Sequence, residues 1–159
     1  MDKASVLLTL KAQLEKDLAI LKHAALATYD DATNEENKPE NKYDTRALEA
    51  SYLAGAQAQR VKDVEELISI CKFQQTKNFK DGDPIAVTAI VEVESNEKVS
   101  WLLFLPKGGG FFVQYQDKKI QVITPASPIG KALLGLRSGE VATIESNGQK
   151  REYEIISVC

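Results

Sequence analysis

The chain has one histidine, His23, and two cysteines, Cys71 and Cys159, among 159 residues. A Ser/His/Asp or Cys/His nucleophilic site would have to use that histidine, which falls inside a helical pattern where a surface or seam position is its ordinary use. The cysteines are far apart and form no C-x-x-C pair, so a reducing compartment is expected and a disulfide framework is not. With a single histidine they show no zinc-ligand spacing. No run of about 18 apolar residues occurs, and no basic stretch precedes an apolar one at the start, so neither a membrane span nor a signal peptide is expected. Excess positive charge is also lacking. Twenty lysines and arginines face 23 aspartates and glutamates, a net charge of −3, whereas tight autonomous binding to a nucleic-acid backbone needs a basic surface. The expectation is a cytoplasmic, soluble protein of one domain or two small units.

What is present is periodicity of two kinds. Over about residues 2–30 the spacing of Leu7, Leu14, Leu18, Leu21 and Ala25 predicts a helix with a heptad stripe. Over about residues 40–73, Ala47, Ala50, Ala54, Val61, Val64, Ile68 and Cys71 predict a second. Pro39 suits the start of that helix, where its missing N–H costs nothing. Gly55 inside it costs about 1 kcal/mol relative to alanine but would let two backbones approach closely. Leucine, valine and isoleucine mark the base of the stripe, and alanines dominate toward the turn. Two antiparallel helices of this kind make a narrow arm of about 40–50 Å, at 1.5 Å per residue. Heptads specify pairing but not purpose, so reach and dimerisation both stay open on the pattern alone.

Between the helices, residues 30–44 carry six carboxylates: Asp30, Asp31, Glu35, Glu36, Glu40 and Asp44. Such charges repel one another unless a cation or a basic partner receives them. Residues 73–84 form a boundary that closes on the turn residues Asp81-Gly82-Asp83-Pro84. From Ile85 the period changes to two, and IAVTAIVEV, VSWLLFL, FFVQY, KIQVI, VATIE and REYEIISV are expected strands. Asn96-Glu97 and Gly108-Gly109-Gly110 mark turns; the glycine triplet lacks the GK[ST] of a phosphate loop. One short helix is expected at 127–135, with Ser127 as cap, Pro128 in the first turn and Gly135 as stop.

The stretch from Ser127 to Val158, SPIGKALLGLRSGEVATIESNGQKREYEIISV, closely resembles the end of bacterial Gre-type transcript cleavage factors. In that family a short helix containing Ser-Pro precedes ALLG, then a Gly-Glu turn, then two final strands. The acidic hairpin is similar in kind to the family's coiled coil. Glu40-Asn41 resembles its tip, where an acid pair spaced D-x-x-E is followed directly by asparagine. The resemblance covers nearly the whole chain. It implies an α+β fold: an N-terminal antiparallel coiled-coil hairpin followed by an FKBP-like antiparallel sheet with one short helix. The arm would occupy 1–76, a linker 77–84 and the docking domain 85–159.

The resemblance further implies a monomer that binds bacterial RNA polymerase, meets nascent RNA only within that complex, and touches no membrane. The C-terminal domain would dock at the rim of the secondary channel through Ser127, Pro128, Ile129, Gly130 and Lys131, and the coil would enter the channel. The chain would be no enzyme on its own and bind no cofactor alone. Its tip acids, Glu40 and Glu36 with Asp31, Glu35 and Asp44 in support, would help hold Mg²⁺ at the polymerase active site, so that backtracked RNA is cut by the polymerase itself. At one position the tip departs from the family pattern: its first acid falls on Asn37, a neutral oxygen, beside Glu36. Two alternatives follow: a Gre-like channel occupant that inhibits or modulates transcription without cleavage, and a coiled-coil adaptor or chaperone-like binding module. Prolyl isomerase activity is not expected, because Trp101, Phe104, Phe111, Phe112, Tyr115 and Tyr153 lie in strand patterns where core packing is the default.

Overall fold

The computed structural model of the chain describes residues 1–33, 46–80, 82–146 and 148–159. The elements run α1 (Lys3–Thr33), α2 (Arg46–Phe73), β1 (Ile90–Ser95), β2 (Lys98–Phe104), β3 (Phe112–Tyr115), β4 (Lys118–Ile123), α3 (Pro128–Leu133), β5 (Val141–Ser146) and β6 (Gln149–Val158). The α+β class is as expected: a helical hairpin, then a sheet with one short helix. Two compact units result, one of Ala12–Ile68 and one of Met1–Lys11 with Ser69–Cys159. The division thus falls inside both helices, and the residues around 77–84 belong wholly to the sheet unit.

In the helical unit the seam is a heptad. Leu14 is buried, Leu18, Leu21, Ala25 and Thr28 are half-buried, and the positions between them are mostly exposed. On α2 the matching positions are Ala50, Ala54, Gln57 and Val61, half-buried, followed by the fully buried Val64 and Leu67. Antiparallel pairing shows in two contacts: Gln57 donates to the Thr28 hydroxyl at 3.1 Å, and Lys22 pairs with Glu65 at 2.7 Å. As the α1 number rises, its partner's falls. The ion pair is half exposed on both sides and adds little stability. Gly55 is exposed, and a Cβ there would meet nothing within 4 Å, so it marks no close approach of backbones. The side chain of Ala47 lies outside the described residues.

The sheet has the strand order β3-β4-β2-β1-β6-β5. Four pairings are antiparallel, and β2 with β4 is parallel; β3 lies between them in sequence and folds back onto the outer edge of β4, which turns β4 to run with β2. On one face Val91, Val93, Leu102, Phe104, Ile123, Ala142 and Ile155 form a buried core with Leu133 of α3. On the other face Ile90, Leu103, Ile120 and Val122 are buried as well, and the same unit holds the buried Val6, Leu7, Leu10 and Cys71 of the helix ends. Burial pushes the Cys71 thiol up to about 11, so it stays protonated and inert at neutral pH.

The first expected strand is shorter than the period suggests. Thr88, 3% exposed, has φ 75°, a left-handed conformation that a β-branched residue rarely adopts. It ends the alternation: the Ala89 N–H closes a turn on the Ala86 carbonyl, and the Ile85 N–H donates to the Leu136 carbonyl instead of a strand partner. The Thr88 hydroxyl accepts from the Lys77 N–H at 3.0 Å, and the Lys77 carbonyl accepts from the ammonium of Lys3.

Lys3 is 8% exposed, and its Nζ lies 4.1 Å from the centre of the Phe79 ring. Removal from water lowers its pKa from 10.5 to about 8. Below pH 8 both the folded and unfolded chains carry the charge, and the folded state bears its desolvation. Between about 8 and 10.5 the unfolded chain holds a proton the folded one has lost, so stability rises with pH. Urea titrations at pH 7 and pH 10 should therefore show the wild type gaining on the order of 1 kcal/mol relative to Lys3→Met. Parallel pH profiles of the two chains would remove Lys3 as the cause.

Candidate functional site

Helix α3 starts where Ser127 leaves extended backbone and accepts from the Gly130 N–H at 3.1 Å. The same hydroxyl donates to the Thr124 carbonyl at 2.7 Å, so one side chain both caps the helix and ties it to the end of β4. Pro128 occupies the first turn, where no N–H is needed. The helix stops at Leu133, and Gly135 follows with φ 86°, its N–H donating to the Ile85 carbonyl.

This geometry divides the five expected docking residues. Pro128 and Lys131 are exposed. Ser127 is engaged as the cap. Ile129 is half-buried and packs against the sheet core. Gly130 is buried, and a Cβ there would lie 1.9 Å from the Thr124 carbonyl oxygen; it is the residue that allows the helix to sit against the strand end. Leu134, 44% exposed, was not anticipated. The signal for it was the three-residue step from Pro128 through Lys131, which places 134 next on the outward side.

The acids divide less evenly. Asp30 is exposed in the last turn of α1, and no basic residue stands in that turn. Asp31 belongs to the same turn, its side chain outside the described residues. Glu35, Glu36, Asn37, Glu40, Asn41 and Asp44 also lie outside the described residues. His23 is exposed on α1, as its helical setting suggested, and no helix among the described residues is long and apolar enough to cross a membrane.

Residues 80–159 match the family described as transcription elongation factor, GreA/GreB, C-term. The chain belongs to the GreA/GreB family. Among relatives of this Gre-family chain, the transcription elongation factor GreA of Methylococcus capsulatus is 30% identical over 102 residues, 62% of this chain and 60% of that protein. The transcription inhibitor protein Gfh1 of Thermus thermophilus is 29% identical over 120 residues, 73% of this chain and 72% of that one. The GreA of Thioalkalivibrio sulfidiphilus is 25% identical over 150 residues, 94% of this chain and 90% of that one. The last alignment is long enough to take in the helical hairpin as well as the sheet of the Gre-family fold.

Proposed function

We propose that this Gre-family protein binds bacterial RNA polymerase at its secondary channel and stimulates cleavage of backtracked RNA through its tip carboxylates. The observation that supports a delivered charge is where the acids begin. A helix C-terminus is the negative pole of the macrodipole, and a carboxylate there costs a few tenths of a kcal/mol. Helix α1 nevertheless carries Asp30 and Asp31 in its last turn with no basic residue beside them, a placement the helix itself does not favour. Mg²⁺ prefers carboxylate oxygen and water. In a two-metal site one ion activates the attacking water and the other stabilises the leaving oxygen. Carboxylates arriving from another chain, Glu40 and Glu36 foremost, can complete such a site without forming one alone. The polymerase does the cutting. Docking falls to the exposed side of α3, Pro128, Lys131 and Leu134.

A second reading is supported by Asn37 and by the relatives named as inhibitors: the tip occupies the channel without supporting cleavage. A cleavage assay on stalled, backtracked complexes decides. The wild type should shorten the RNA from its 3′ end. Lys131→Glu with Leu134→Ser should raise the half-saturating concentration about tenfold, about 1.4 kcal/mol of binding, with the maximal rate unchanged. Slowed elongation without cleavage would establish the inhibitory reading. Absence of any polymerase binding would leave the adaptor.

A further inference from the structure

The geometry points to Thr28 and Gln57 as a polar lock that sets the register of the two arm helices and thereby positions the tip acids. Both residues occupy seam positions and are half-buried. The Thr28 hydroxyl donates its own proton to the Ala24 carbonyl at 3.0 Å. Its oxygen is then left as an acceptor, and Gln57 Nε2 supplies the donor at 3.1 Å. The bond is directional and pairs one residue with one residue.

Among the described residues, the seam positions next to this pair are Ala25 on α1 and Ala54 and Val61 on α2, and the Lys22–Glu65 ion pair farther along is half exposed. An open groove of about 370 Å³ runs beside them, lined by Ala25, Ala54, Ala58 and Val61 together with the exposed Lys22, Leu26 and Tyr29. Short alanine side chains interlock weakly, so apolar packing at these positions gives little preference for one turn over the next. A slip of one turn moves one helix past the other by about 5 Å. It would set Gln57 level with Ala25, or Thr28 level with Ala54 or Val61, each time breaking the bond across the seam. A single polar seam residue specifying register at a cost in stability is a known device of coiled coils. Here the register fixes where α1 ends at Thr33 and where α2 begins at Arg46, the two footings of residues 34–45. Thr28 and Gln57 are positioning residues, and their effect on cleavage rests on the function proposed above.

The test reads register and activity separately. Register is read by oxidative closure of a cysteine pair, Ala25→Cys with Val61→Cys, in a chain carrying Cys71→Ala and Cys159→Ser. Gln57→Leu should cut the closure rate at least about threefold while keeping the helical circular dichroism, since leucine suits a seam. The exchange Thr28→Gln with Gln57→Thr should restore it. Should Gln57→Leu lose helix, Gln57→Asn, too short to reach, gives the same reading. Unchanged closure in the variant that keeps its helix would overturn the lock. In the cleavage assay, with native seam residues, Gln57→Leu should lower the maximal rate at least about threefold at an unchanged half-saturating concentration, and the exchange should recover it. A shift in half-saturation with the maximal rate intact would also count against the lock. A wild type that binds polymerase but stimulates no cleavage would count against the proposed function, while the closure rates still judge the lock.

Discussion

Replacing Glu36 and Glu40 together by alanine is expected to reduce stimulated cleavage of backtracked RNA at least about tenfold, about 1.4 kcal/mol of lost transition-state stabilisation. The helices should remain folded, because neither residue belongs to the seam formed by Leu14, Leu18, Leu21, Ala25 and Thr28 with their partners on α2, and changes in a connecting segment rarely disturb packing elsewhere. Polymerase binding should persist, since both substitutions leave untouched the exposed side of α3, the docking face proposed above. The comparison is wild type against the double variant on the same stalled complexes, with binding measured in parallel. Equal rates would remove these acids as the delivered pair and turn attention to Asp31, Glu35 and Asp44. A single Glu40→Ala that matches the double variant would assign the effect to Glu40 alone.

Gly130→Ala should lower stability by about 3 kcal/mol and the melting temperature by on the order of 10 °C. The added Cβ would lie 1.9 Å from the Thr124 carbonyl oxygen, 2.8 Å from its carbon and 2.9 Å from the Ser127 hydroxyl oxygen. Two of those atoms are backbone and the third is the helix cap, so relief requires moving α3 off the end of β4. The cap bond from Gly130 N–H to Ser127 would go with it, and a lost cap alone costs about 1 kcal/mol. Gly55→Ala is the internal control. Its Cβ meets nothing within 4 Å, and alanine favours a helix interior, so that variant should gain about 1 kcal/mol. Chemical denaturation of the three chains gives both signs; a Gly130→Ala chain as stable as wild type would mean that α3 is not seated against Thr124.

The residues that announced themselves in the sequence did so because one local rule governed them. The seam followed heptad spacing, so Leu14, Leu18, Leu21 and Ala25 were legible. Ser127, Pro128 and Gly135 were legible because cap, first turn and stop each prefer a residue type. Gln57 was not, because a polar side chain on an amphipathic helix reads as surface until its partner across the seam is known. Thr28 failed for the same reason. The false start of β1 came from Thr88: alternation ran through it, and only tertiary contacts, the Lys77 N–H on its hydroxyl and its own N–H on the Phe104 carbonyl, hold it at a positive φ. Gly130 carried no signal that separated a surface glycine from a packed one. Its role needs the position of Thr124, which lies before the turn.

The order of strands bears on how the protein is made. β6, the last strand in the chain, lies between β1 and β5. Ile90 at the start of β1 exchanges both of its main-chain bonds with Cys159, at 2.7 and 2.9 Å. Until residues 149–158 leave the ribosome, β1 is paired on one side only, and β5 has no strand partner at all. Ile155, fully buried in the finished core, is then still to come. The α1–α2 hairpin and the β1–β2 hairpin close over short stretches of chain and can form during synthesis. The sheet unit as a whole waits for β6, and in that interval an open strand edge is exposed to other chains.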